Sequence, residues 1–153
     1  MNITKKIEDY DDKCIFFCET IKNNIINEGN FIRILYSTPF VTLNGIYLLM
    51  NLNDVSCEKY YNKYKCNFNC NTNKEIIDKI KIIEEKIIKK CEIKDKIPQY
   101  KIYDQIKNGI IKTINDIEIN SGMQCSFILK ISGIWETSIN YGLTYKFIKI
   151  IGS

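Results

Sequence analysis

Between Ser126 and Lys149 apolar and polar positions alternate. Phe127, Leu129, Ile131, Gly133 and Trp135 fall on one side of an extended chain, and Ile128, Lys130, Ser132 and Ile134 on the other. Tyr141, Leu143, Tyr145 and Phe147 resume the period after the polar stretch Glu136 to Asn140, so the pattern predicts a C-terminal antiparallel hairpin. Phe31 to Tyr36 has the length and composition of a strand, and Pro39 breaks it because proline donates no ladder hydrogen bond. Phe40 to Asn51 predicts a second, longer strand paired with the first as a hairpin, with Gly45 at a bulge or a close backbone approach.

The period changes near Asn73. Thr72-Asn73-Lys74-Glu75 matches a capping box, after which Ile76, Ile80, Ile83 and Ile87 recur at steps of four, three and four. Ile77, Ile88 and Cys91 widen the stripe, and Lys86, Lys89 and Lys90 crowd the last turn, where positive charge complements the helix dipole. The spacing predicts an amphipathic helix over about residues 73–91, its stripe on a sheet and its charged face, including Glu84 and Glu85, in solvent. Tyr100 to Gln105 and Ile110 to Ile114 read as short extended segments around a Lys107-Asn108-Gly109 turn, before a polar loop from Asn115 to Gln124. Residues 3–27 fit two periods: Ile7, Tyr10, Cys14, Phe17, Ile21 and Ile25 suit a helix, while Cys14 to Thr20 suits a buried strand. The expected fold is α+β and mostly antiparallel, an OB-like or barrel-like curved sheet with one main helix, in a single domain spanning 1–153.

Composition narrows the chemistry. With 45% apolar and 26% charged residues in 153, the chain can pack a core, and no apolar run reaches the roughly 18–20 residues of a membrane span. Met1 to Asp12 lacks the apolar stretch of a secretory signal, so the expectation is an intracellular protein with no membrane partner. Isoleucine, asparagine, lysine and tyrosine dominate and alanine is absent, the bias of an AT-rich genome, so isoleucine abundance carries little strand information. Histidine is absent too, which excludes imidazole bases and nitrogen-ligated zinc. No phosphate-cradling glycine loop, dinucleotide fingerprint or HExxH motif occurs, and Asp11-Asp12 and Glu84-Glu85 read as surface pairs. The reading is non-enzymatic, with no catalytic residue and no cofactor.

Seven cysteines, an odd number, predict reduced thiols and no disulfide framework. Cys57, Cys66 and Cys70 lie in a C-x8-C-x3-C run to which Cys91 could add a fourth sulfur. Only Cys66 and Cys70 have the spacing of a zinc knuckle, so no metal is expected.

The formal net charge is +4, almost wholly from lysine, with Arg33 the only arginine. Sequence-specific duplex reading favours bidentate guanidinium forks, whereas lysine meets phosphate as a point charge. From Lys59 to Phe68 cations and aromatics interleave: Lys59, Tyr60, Tyr61, Lys63, Tyr64, Lys65 and Phe68. Aromatic faces stack on any base at about 1–3 kcal/mol each while lysines follow the backbone, so this segment is the candidate single-strand site. The even spacing of Tyr60, Tyr64, Cys66 and Phe68 also fits a half-buried strand. Arg33 joins the site if its strand face is exposed. Trp135 is the reserve platform, with Tyr36, Tyr47 and Tyr145 as further strand aromatics, although a lone tryptophan on a strand is more often core than platform.

Two segments carry a resemblance. Phe127-Ile128-Leu129-Lys130-Ile131-Ser132-Gly133-Ile134-Trp135-Glu136-Thr137 with Tyr141-Gly142-Leu143-Thr144-Tyr145-Lys146-Phe147, and Ile34 to Leu48, together resemble small single-stranded DNA-binding proteins of large DNA viruses of eukaryotes. They cover about a quarter of the chain. The resemblance implies an OB-like barrel, a partner in single-stranded DNA or RNA, a role in viral DNA replication or repair, and a place in the host cytoplasm (a viral factory) or nucleus. The acidic tail by which some such proteins recruit partners has no counterpart in Lys149-Ile150-Ile151-Gly152-Ser153. The competing expectation is a viral accessory or virion protein acting as a protein–protein interaction module, whose binding would respond little to salt.

Overall fold

The computed structural model describes residues 4–22, 29–60, 63–113 and 123–149, with backbone alone for Lys22, Lys59, Tyr60, Met123, Gln124 and Lys149. In chain order its elements are β1 (Lys5–Lys6), β2 (Ile15–Lys22), β3 (Asn30–Ser37), β4 (Thr42–Leu43), β5 (Ile46–Tyr60) and β6 (Lys63–Phe68). Helix α1 (Lys74–Lys90), β7 (Ile97–Gln99), α2 (Lys101–Ile106), β8 (Ile110–Thr113), β9 (Met123–Glu136) and β10 (Asn140–Lys149) follow.

Strand β5 is too long to keep one partner. Its first half, Ile46 to Leu52, pairs antiparallel with β9, and its second half, Val55 to Tyr60, pairs antiparallel with β6. Between the halves the register shifts, and Asp54 takes a left-handed backbone, φ 55°, a conformation aspartate tolerates better than most residues. The ring continues from β6 to β8 and from β8, in parallel, to β10, then through β9 back to β5. Five strands thus close an OB-like, mostly antiparallel barrel with one main helix. Beyond Ile131 the edge of β9 is taken over by β3, which carries β2 and β4 outward as an appended sheet.

Alternation fills the barrel. Leu48, Met50 and Leu52 of β5, Tyr64, Cys66 and Phe68 of β6, Phe127, Leu129 and Ile131 of β9, and Leu143 and Phe147 of β10 are buried. Ile77, Ile80, Ile83, Ile87 and Ile88 of α1 join the same core, with Ile76 half-buried at its margin. The helix therefore sits where the isoleucine stripe places it. Gly45, φ 122°, is a close approach, since a side-chain carbon there would lie 3.0 Å from the Ile131 carbonyl oxygen.

Several expectations are corrected. The hairpin between the first two strands shrinks to the β3–β4 pairs Tyr36–Leu43 and Ser37–Thr42, because β5 leaves to close the barrel with β9. In the N-terminal segment the strand period prevails from Ile15, after single 3-10 turns at Ile7–Asp9 and Asp12–Cys14; residues 23–28 lie outside the described ones. No capping box forms. Asn73 precedes the helix, and its side chain instead accepts from Asn53 N–H at 2.9 Å and donates to the carbonyls of Asn53 and Asn69, while Glu75 pairs with Lys79. Cys57 and Cys66 form a disulfide, contrary to the all-thiol expectation, because the β5–β6 register sets them directly opposite, Cα to Cα 4.0 Å. That bond uses two of the four sulfurs weighed for zinc, and among the described residues no three histidine, cysteine or acidic side chains converge.

Residues 101–106 are helical rather than extended, and Glu84 supplies the reason. Its carboxylate, 1% exposed, accepts from the N–H groups of Ile102 at 3.0 Å and Tyr103 at 2.9 Å, the otherwise unpartnered donors of the first turn of α2. Ile102 and Ile106, one turn apart, then bury against the core. Glu84 is thus a core polar group and not a solvated one. Burial pushes its carboxyl from the usual 4.5 up to about 7, against the pull of the two amide donors.

Two outcomes follow from this packing. Because the neutral form of Glu84 is favoured in the fold, its contribution of about 3 kcal/mol is complete below pH about 4.5 and is lost as pH rises past about 7. Urea unfolding of the wild type from pH 5 to 8 will show stability falling with pH, and Glu84→Gln will flatten that slope. In β9 a bulge leaves Ser132 unpaired with β10 and reverses the alternation, so Ile134 is buried and Trp135 half-buried, the opposite of the simple alternating assignment. A side-chain carbon on Gly133 would lie 2.3 Å from the Ile32 carbonyl oxygen and 2.6 Å from Phe31 Cζ. Gly133→Ala will cost at least about 2 kcal/mol in the same assay, since backbone must shift to admit the methyl group.

Candidate nucleic-acid interface

Where the inner positions of the barrel are fixed by burial, the outer ones are fixed too. Leu129 of β9 and Phe147 of β10 pair and are buried, which turns their neighbours Lys130 and Lys146, also a register pair, outward. Phe147 pairs with Thr113 in the parallel β10–β8 ladder, so Lys146 and Lys112 each stand one residue before that pair and line the same groove at the seam. Lys112 in turn lies directly opposite Lys65 of β6. Lys130, Lys146, Lys112 and Lys65 therefore form a transverse belt, one lysine per strand across four neighbouring strands. At about 4.8 Å per strand it spans roughly 15 Å. Lys63, two residues from Lys65, lies on the same face and is exposed.

The belt ends on β5 at both sides. Tyr47 opposes Lys130, whose ammonium sits 5.4 Å from the ring centroid, and Glu58 opposes Lys65. Two grooves border it and share Lys112. One, about 550 Å³, is lined by Glu58, Lys63, Tyr64, Lys65 and Lys112. The other, about 460 Å³, opens at the β8–β10 seam, where among the described residues a single register pair joins the strands; Gln105, Lys112, Thr113, Tyr145, Lys146 and Phe147 line it. Tyr145 is half-buried there, its hydroxyl donating to Gln105 Oε1 at 2.7 Å and its ring edge-on to Phe147. Burial raises the Tyr145 hydroxyl above its ordinary range, so it remains a donor.

Among the described residues none of these five lysines is in an ion pair; the pairs are Lys79–Glu75, Lys96–Glu136 and Lys107–Asp104. Like charges directly opposite on a sheet face are destabilising, by a few tenths to about 1 kcal/mol per pair. The belt works against the fold that displays it.

Of the residues singled out from the sequence, Lys63 and Lys65 stand on this face. Tyr64, 3% exposed, and Phe68, 7% exposed, are core side chains and offer no stacking face, because they occupy the inward phase of β6 with Cys66 between them. Tyr61 and the side chains of Lys59 and Tyr60 lie outside the described residues. Arg33 is exposed but stands on the appended sheet, donating to Asn44 Oδ1 at 3.0 Å, and lines neither groove. Trp135 also lies apart: the Lys101 ammonium sits 4.7 Å over its ring, and Gly142 packs against its edge. Tyr36 is buried, its hydroxyl accepting from Asp11 N–H at 3.1 Å. Sequence reasoning misses Lys112, Lys130 and Lys146, since they are far apart in the chain and only strand register brings them together. Their one sequence signal is lysine at an outward position of three separate apolar strands.

Comparisons with protein families, curated proteins and solved structures found no match to the chain. The site therefore stands on its own geometry.

Lys112 has a like charge on each side, so its replacement tests the cost of the belt. Lys112→Gln will stabilise the free protein by about 0.2–1 kcal/mol in urea unfolding at low ionic strength, and the gain will shrink in high salt as screening relieves the wild type.

Proposed function

We propose that the protein binds single-stranded DNA without sequence preference, the sugar-phosphate backbone crossing the barrel strands along Lys130, Lys146, Lys112 and Lys65. The lysine belt is the single observation that carries this reading: like charges facing one another are unfavourable for the isolated fold, and a polyanion relieves them. Lysine contacts give affinity through counterion release and read no base edge. A stacking face comes from Tyr47 at the margin of the belt, while Tyr145, on the inward phase of β10, offers its ring only within the seam groove. Tyr60 and Tyr61 keep the stacking role expected from their spacing among lysines in the sequence. A flexible single strand fits this arrangement better than duplex, because stacking needs unpaired bases. With the viral resemblance, the setting is DNA replication or repair.

A titration of a fluorescent oligonucleotide, single- and double-stranded, at several salt concentrations tests the reading. Single strands will bind more tightly than duplex at moderate salt. Replacing Lys65, Lys112 and Lys146 together by glutamine will reduce the slope of log affinity against log salt by about 2, at about 0.7 for each phosphate that is no longer neutralised. Absence of a single-strand preference, or an unchanged slope in the triple variant, overturns it.

A second reading, a protein-interaction module, is favoured by β2. Its outer edge pairs with none of the other described strands, and Phe16 and Ile21 on it are each about half exposed. An extended segment of a partner could add a strand there, with binding little affected by salt.

A further inference from the structure

Thr113 is 2% exposed, and its hydroxyl has no hydrogen-bond partner among the described residues. Buried hydroxyls are nearly always satisfied, so an orphan at the wall of an open groove calls for a reason. The groove it lines, about 460 Å³, is of a size that holds small ligands, and its walls are chemically divided. Lys112 and Lys146 bring two cations, Phe147, Ile148 and the Tyr145 ring bring apolar surface, and Gln105 and Thr113 bring polar groups. Gln105 Oε1 is occupied by the Tyr145 hydroxyl, which leaves its amide N–H groups to donate, while the Thr113 hydroxyl can donate or accept. The groove opens at the β8–β10 seam, where among the described residues Phe147–Thr113 is the one register pair and none joins Lys112 to Lys146 or Ile111 to Tyr145.

From this juxtaposition we infer that the β8–β10 groove is a nucleotide pocket. It takes one nucleotide unit of the bound strand, the phosphate on Lys112 and Lys146, and the base beside Tyr145 with polar edges on Gln105 and Thr113. The inference rests on the single-strand reading and deepens it: the belt holds the strand anywhere along its length, and the pocket takes one unit out of the stack.

Titration of the full chain with thymidine monophosphate, thymidine and inorganic phosphate tests the pocket, followed by NMR shifts of the Thr113 methyl and Tyr145 ring signals. Thymidine monophosphate will shift both signals saturably, and will bind at least tenfold more tightly than inorganic phosphate. Thr113→Val, which keeps the shape and removes the hydroxyl, will weaken it about tenfold. Gln105→Ala, on a partly exposed side chain, will do the same and serves if the threonine variant fails to fold. Long oligonucleotides will lose only a few-fold in affinity in either variant, with the salt slope kept. Equal binding of phosphate and nucleotide, or unchanged affinity in whichever variants fold, overturns the pocket. Oligonucleotide binding with a normal salt slope but no saturable nucleotide shift overturns the pocket alone. Loss of oligonucleotide binding by the wild type overturns the single-strand reading beneath it.

Discussion

The sharing of β5 between β9 and β6 is the constraint on which the rest depends. One strand must serve both β9 and β6 for the ring to close; its ladder with β9 shifts register between Leu52 and Val55, and Val55, where the β6 ladder begins, pairs with both. Closure removes the choice of face from every other barrel strand. Once Leu129, Phe147 and Cys66 are committed to the interior, a slip of one residue in any strand would drive a lysine into the core. Burying an unpaired ammonium costs far more than any single apolar contact returns. The core therefore enforces the belt. Four lysines from four separate strands are held in line by hydrophobic side chains on the opposite face, with no bond among the lysines themselves.

This division explains what was legible in the sequence and what was not. Strand phase and the isoleucine stripe of α1 are local patterns, so β3, β6, β9, β10 and α1 could be read directly. The inward phase of Tyr64 and Phe68 was equally local, and it competes with their reading as stacking platforms; burial on the β6 inner face decides between the two. What escaped was set by distant partners. Residues 101–106 lack a local capping signal because the cap is the Glu84 carboxylate, 18 residues upstream of Ile102. The disulfide depends on a hairpin register that a cysteine count does not reveal. Lys112 and Lys130 become neighbours of Lys146 only through the ladder.

Two devices hold the belt's margins. The Cys57–Cys66 bond ties the β5–β6 hairpin one residue from Lys65 and Glu58, where the lysine row ends. On the other side, α2 carries Gln105 to the seam groove, and α2 itself is held by a carboxylate from α1. Glu84 thus links helix packing to the groove wall, since its two acceptor oxygens fix the first turn of the helix whose last turn carries Gln105.

The belt also limits the kind of affinity available. Four or five lysine contacts to phosphate amount to a salt slope of about 3 for a single strand, so binding by charge alone would weaken severalfold for each doubling of salt. Any affinity that persists at high ionic strength has to come from uncharged contacts. In the described structure these are concentrated at two places, the Tyr47 ring beneath Lys130 and the seam groove with its tyrosine, glutamine and threonine. Tyr47 is already engaged by a lysine ammonium, which a bound phosphate would draw away and so free the ring face for a base. Under the proposed single-strand reading, charge and stacking would then be coupled at that end of the belt, since drawing Lys130 away would expose the ring on which the next base could lie.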